Sequence, residues 1–195
     1  MSTLEHAPHT KTQRTRPMRA DARRNYEKVI AAARDAFAAG GSATSLEEIA
    51  RRAGVGIGTL YRHFPNRQAL LEAVYAEEVE SLCRSAGDVA GLEPWDALVA
   101  WLRKFVGYMT TKQALAAELL DYMDRDSPLF STCRSAMYTA GEPLLTRAQE
   151  AGVARADANL PDVIQMVAGI SKIQTADPQQ VGRILEIALD GLRAK

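Results

Sequence analysis

Arg62 sits among residue types suited to a polyanion. Its planar guanidinium can donate two parallel hydrogen bonds to guanine O6 and N7. Thr59, Tyr61 and His63, close beside it, carry donors for phosphate oxygens, contacts that set position rather than sequence. Gly58 has no side chain, so the backbone there can come close to a duplex, and Ile57 offers an apolar surface to a thymine methyl. Thr44 and Ser45 precede an apolar run, at the kind of helix start that favours a phosphate. Arg67 follows within reach of a DNA backbone.

Two short helices joined by a tight turn would position these groups. Ser45 and Glu48 have the spacing of a capping box, in which the Ser oxygen accepts from a free backbone N–H and the Glu reaches back. Leu46, Ile49, Ala50 and Ala53 give the first helix its apolar face, and Gly54 stops it. Val55-Gly56 forms the turn, and a second helix is predicted from about Ile57 to Phe64. The spacing turns Ile49, Ala50, Val55, Leu60 and Phe64 inward and Ile57, Gly58, Tyr61 and Arg62 outward. Tyr61 would also serve as a half-buried core aromatic. A helix docked this way presents its N-terminal end to a major groove. Upstream, Tyr26, Val29, Ile30, Ala33 and Phe37 mark a helix from Asp21 that ends at Gly40-Gly41.

The run from Thr44 to Arg67 resembles the signature of the tetracycline-repressor (TetR) family, with Gly54, Gly58, Thr59-Leu60-Tyr61 and Phe64 at its fixed spacing. Ala36-Phe37 and Gly40-Gly41 fit the same pattern, and the close match covers residues 23–74. The chain departs from it at Gly56-Ile57, where many members carry Ser and then Lys or Arg. The resemblance implies a homodimer with three N-terminal helices for DNA and a larger helical domain for a small inducer, whose binding releases a palindromic operator. It also implies that Thr59, Tyr61 and His63 contact phosphates and that Arg62 faces bases. Gly56 belongs to the same implied DNA-contacting stretch.

Charge agrees with such a division. The chain is neutral overall, yet residues 1–67 hold 12 Lys and Arg against 6 Asp and Glu, while residues 68–195 hold 12 against 18. A basic third beside an acidic remainder suits one part that meets a polyanion and one that does not. Residues 1–20, with Pro8 and Pro17 and no hydrophobic period, read as a flexible basic arm. Arg14, Arg16 and Arg19 would there reach a minor groove or stay solvated. Residues 21–67 form the helix-turn-helix domain and 68–195 a helical ligand-binding and dimerisation domain.

The pattern predicts an all-α chain of about nine helices, the N-terminal three followed by a C-terminal bundle. Beyond residue 66 the helices are predicted at about 66–86, from Pro94 through Met109, near 112–123, from Ser127-Pro128 to Ala151, at 160–172 and at 178–192. Pro143 is expected to kink or split its helix. Trp101, Phe105, Tyr108, Met109, Leu119, Tyr122, Met123, Phe130, Met137 and Tyr138 are bulky enough to line a pocket for a largely apolar ligand, or simply to fill the core. Val163, Met166, Val167 and Ile170, with Ile184, Leu185, Ala188 and Leu192, make two stripes suited to a dimer interface or to packing within the chain.

No histidine follows His63, the carboxylates show no metal-ligand spacing, and GxSxG and phosphate-loop patterns are missing. An enzyme is not expected, nor any cofactor or metal. Cys83 and Cys133 are separated and make no CxxC. With no apolar run long enough to span a bilayer and no signal-like start, the chain reads as cytoplasmic.

Overall fold

The computed structural model describes residues 15–40, 44–124, 126–175, 177 and 179–194. Among these, eight α-helices and no strand are present. They are α1 (Thr15–Gly40), α2 (Leu46–Ala53), α3 (Ile57–His63), α4 (Arg67–Asp88), α5 (Pro94–Leu119), α6 (Pro128–Glu150), α7 (Leu160–Ile170) and α8 (Gln180–Asp190). No helix in the described residues is long and apolar enough to cross a membrane.

Three boundaries differ from expectation. Helix α1 opens at Thr15, so residues 15–20, read above as part of the arm, are helical. Pro17 is tolerated because the first-turn N–H groups have no intrahelical partner in any case. Arg14 and Pro178 lie outside the described residues. The two helices expected over 94–109 and 112–123 are one helix, α5, because no Gly or Pro stands between them to break it. Tyr122 and Met123 fall in the turn beyond its end. Helix α6 is not split at Pro143, whose ring projects from an exposed position.

Local signals account for several helix ends. Gly54 takes φ 65, the left-handed conformation that lets its N–H close onto the last carbonyls of α2. Asn66 caps α4 through its side chain, which accepts from the Ala69 N–H at 2.8 Å, and Asn159 does the same for α7 with Asp162 at 2.9 Å. Pro94 and Pro128 each sit in the first turn of their helix.

Helix α4 is the spine. It packs on α1 at one end and on α5 and α6 along its length, so the N-terminal and C-terminal parts share it. Phe37, Ile49, Leu60, Phe64 and Leu70 are buried together in the first part, and Trp101, Leu102, Phe105, Leu145 and Leu160 in the second. One close joint lies between α5 and α6. Trp101 is fully buried, and its indole N–H donates to the Leu82 carbonyl of α4 at 3.2 Å. Its ring lies on Gly141, where an added Cβ would stand 2.4 Å from the ring. Neither the anchored indole nor the helix backbone can yield that space cheaply. Gly141→Ala is therefore expected to destabilise the protein by about 1–3 kcal/mol, the usual range for overpacking. Urea denaturation measures this, and an unchanged midpoint would contradict the packing.

Candidate functional site

Helix α2, the Gly54 turn and α3 form a helix-turn-helix, held from below by Ile49, Ala50, Leu60 and Phe64, all buried. Val55, expected inward, is half-buried. On the outer side Gly56, Ile57, Gly58, Tyr61 and Arg62 are exposed and Thr59 is half-buried, so one helix face brings the expected contact residues together. Tyr61 is 43% exposed, which places it on the surface and not in the core. Arg62 folds back along its own helix: its guanidinium donates to the Gly58 carbonyl at 3.2 Å and to the Thr59 hydroxyl at 3.3 Å. A Cβ built on Gly56 or Gly58 would meet nothing within 4 Å, so no packing inside the chain demands either glycine.

His63 is half-buried. Its ring meets Tyr26 edge-on at 6.0 Å and Phe64 at 6.1 Å, so it braces α3 against α1. Ser45 caps α2 as expected, its Oγ accepting from the Glu48 N–H at 3.2 Å. The reciprocal half of the capping box does not form. The Glu48 carboxylate instead accepts from Arg51 and Arg52, each Nε at 2.7 Å, because a charge-assisted bond to a guanidinium outcompetes one to a neutral N–H.

Arg67 departs most from expectation. Its guanidinium turns into the chain, where it donates to the Glu118 carboxylate of α5 and to the Thr44 carbonyl ahead of α2. It lies 5.0 Å over the Phe37 ring of α1, and only 19% of the side chain is exposed. No sequence signal pairs residues 67 and 118, which are 51 apart.

In the C-terminal part, an open cleft of about 490 Å³ lies between α4, α5, α6 and α7. Phe105, Met109, Phe130, Met137 and Tyr138 line it, as expected. Trp101, Tyr108 and Leu119 do not; they are buried in the core. Tyr122 and Met123 do not either, since α5 ends before them. Tyr75 and Lys112 line the cleft without having been expected there. Burial raises the Tyr75 phenol above its ordinary pKa, and its ring meets Phe130 edge-on at 5.3 Å.

The two C-terminal stripes are largely used inside the chain. Val163, Val167, Ile170, Leu185 and Leu192 are buried against their own core, because α7 and α8 pack on each other and α7 also on α5 and α6. Met166, Ile184 and Ala188 remain half-buried, and Ile187, absent from the expected stripe, is 72% exposed.

Residues 29–74 match the model of bacterial regulatory proteins of the tetR family, and residues 93–194 match that of the SbtR-like transcriptional regulator C-terminal domain. The chain belongs to the TetR family of transcriptional regulators. This is a class of regulators and not of enzymes. The fold is similar to a TetR transcriptional regulator from Streptomyces coelicolor, at 38% identity over 87% of this chain and 98% of that one, with a TM-score of 0.75. It is also similar to a TetR regulatory protein from Mycobacterium vanbaalenii, at 34% identity over 91% and 100% of the two chains, with a TM-score of 0.77. The HTH-type transcriptional regulator SrpR of Pseudomonas putida is 34% identical over 109 residues, 55% of this chain and half the length of that relative.

In this TetR-family head, Arg51 and Arg52 hold the Glu48 carboxyl at about 2, against an ordinary 4.5. A carboxyl lowered on folding stabilises fully above its unfolded value and loses that contribution as pH falls through its folded value. The stability difference between wild type and Glu48→Gln, read as urea midpoints, should thus be constant above pH 4.5 and shrink between there and about pH 2. A difference that widens in acid would contradict this.

Proposed function

We propose that the chain is a DNA-binding transcriptional repressor that acts in the cytoplasm as a homodimer on a palindromic double-stranded operator and is released by a small, largely apolar inducer. The observation that carries the DNA reading is the face of α3. Ile57, Tyr61 and Arg62 are exposed around Gly58, a glycine for which no internal contact accounts. Space kept free where the chain does not need it suits close approach to a major groove. Arg62 stays within its own helix by hydrogen bonds of 3.2 and 3.3 Å to neutral acceptors, which guanine O6 and N7 could replace.

The cleft supports the inducer, because a C-terminal part that only braced the head would be filled. Its position supports coupling. Tyr75 lines the cleft from α4, two helical turns along from Arg67. Ala116 and Leu120 line it on either side of Glu118. A ligand that shifts α4 against α5 therefore acts on the Arg67–Glu118 pair from both partners, and through Thr44 on the start of α2. For the dimer, the half-exposed surface of Met166, Ile184, Ile187 and Ala188 supports a face shared by α7 and α8 of two subunits.

Two measurements test these readings. Gly58→Ala should fold at least as stably as wild type, since Ala is the better helix former and the space is open. It should nevertheless bind the DNA flanking its own gene at least tenfold more weakly in fluorescence anisotropy, with Arg62→Ala losing preference for that DNA over random duplex. Undiminished binding by Gly58→Ala would remove α3 from the groove. Ile187→Glu should convert the dimer to a monomer in light scattering with unchanged helical content, and a persistent dimer would move the interface elsewhere.

A further inference from the structure

The lining of the cleft between α4, α5, α6 and α7 is largely aromatic and aliphatic, but not wholly so. Lys112 of α5, Arg134 of α6 and Lys172 just beyond α7 all lie on it, and no Asp or Glu does. The three cations come from three elements, 22 and 38 residues apart in sequence, so only the folded chain gathers them. They gather in the acidic part of the molecule, where residues 68–195 hold 18 Asp and Glu against 12 Lys and Arg.

Most arginines there are already matched. Arg84, Arg103, Arg155 and Arg183 each donate to a carboxylate at 2.6 to 2.8 Å. Among the described residues Lys112, Arg134 and Lys172 make no ion pair. The Lys112 ammonium lies over the face of the Tyr108 ring, 5.6 Å from its centre. Burial first, and then repulsion from Arg134, lowers the Lys112 ammonium below its ordinary pKa; Cys133 opposes this, and Lys172 adds a still smaller repulsion. A partly desolvated cation beside two others gains strongly from an anion set among them. Tyr138 and Gln165 add neutral hydrogen-bonding groups on the same lining.

We propose that the cleft binds an amphipathic organic anion, with its apolar body against Tyr75, Phe105 and Phe130 and its carboxylate-type head among Lys112, Arg134 and Lys172. The assignment rests on the reading of the cleft as the effector site and names the chemistry of that effector. A neutral ligand would leave three cations without a counterpart. A cationic ligand would be repelled. A volume of about 490 Å³ suits a small organic molecule.

Matched pairs of probes test this on the full chain. Decanoate and naphthoate would be titrated against decanol and naphthylmethanol, with melting temperature and calorimetry as readouts. The anions are expected to bind at least tenfold more tightly than the alcohols. Lys112→Gln and Arg134→Gln should each abolish that preference and leave alcohol binding as in wild type. Lys112→Gln removes a repelled cation, so its unliganded melting temperature should hold or rise, which separates loss of binding from loss of fold. Alcohols that bind as well as the acids, indifferent to Lys112→Gln, would overturn the anionic assignment while the cleft kept its role as a ligand site. Failure of all four probes to bind would overturn it too. Acids that bind in a Lys112-dependent way while the protein stays on its DNA would uphold the assignment and sink the inducer reading instead.

Discussion

Four parts of the chain meet at the guanidinium of Arg67. It opens α4, donates to Glu118 of α5 and to the Thr44 carbonyl before α2, and covers the Phe37 ring of α1. Arginine suits this place where lysine would not, because its planar fork serves several acceptors while its face stacks on an aromatic ring. Both partners are largely shielded, with 19% of Arg67 and 7% of Glu118 exposed. Removing one partner of such a pair typically costs about 3–5 kcal/mol, because the other is left as an uncompensated charge. The joint is therefore held firmly, and the placement of the helix-turn-helix on the rest of the molecule depends on it.

A three-helix head is too small to bury much of its own surface, and small cores are marginal alone. Here the head borrows α4. Leu70, Leu71 and Val74 are fully buried on the same helix that carries Tyr75 into the cleft. Under the proposed ligand response, a displacement at the cleft would pass along this close-packed stretch of α4 toward the head, since close-packed interiors transmit strain. Stability of the head and the proposed response to a ligand thus share one cause.

Two glycines show how alike residues answer different demands. Gly141 is fixed by the inside of the molecule, because the Trp101 ring fills the space of its Cβ. Gly58 has open space around it, and nothing inside the chain accounts for it. The cations divide in the same way. Arg84, Arg103, Arg155 and Arg183 are answered by carboxylates of the chain, whereas Lys112, Arg134 and Lys172 face a cleft that offers none.

Sequence alone determined what depends on neighbours a few residues apart. The Ser45 cap, the Gly54 stop, the Asn66 boundary and the Leu60–Phe64 anchor are local, so spacing was enough to read the helix-turn-helix and its outward face. The all-α character followed from period for the same reason. Tertiary structure decided everything that required distant residues to meet. Arg67 looked like a phosphate contact until Glu118 claimed it. Trp101, Tyr108 and Leu119 carried the apolar character of pocket residues, yet packing buried them in the core, while Tyr75 and Lys112 line the cleft although the apolar pattern did not select them for it. The apolar stripes of α7 and α8 could not say whether they met their own core or a second subunit, because burial is the same physics in either case; packing took Val167 and Leu185 inside and left Ile187 exposed.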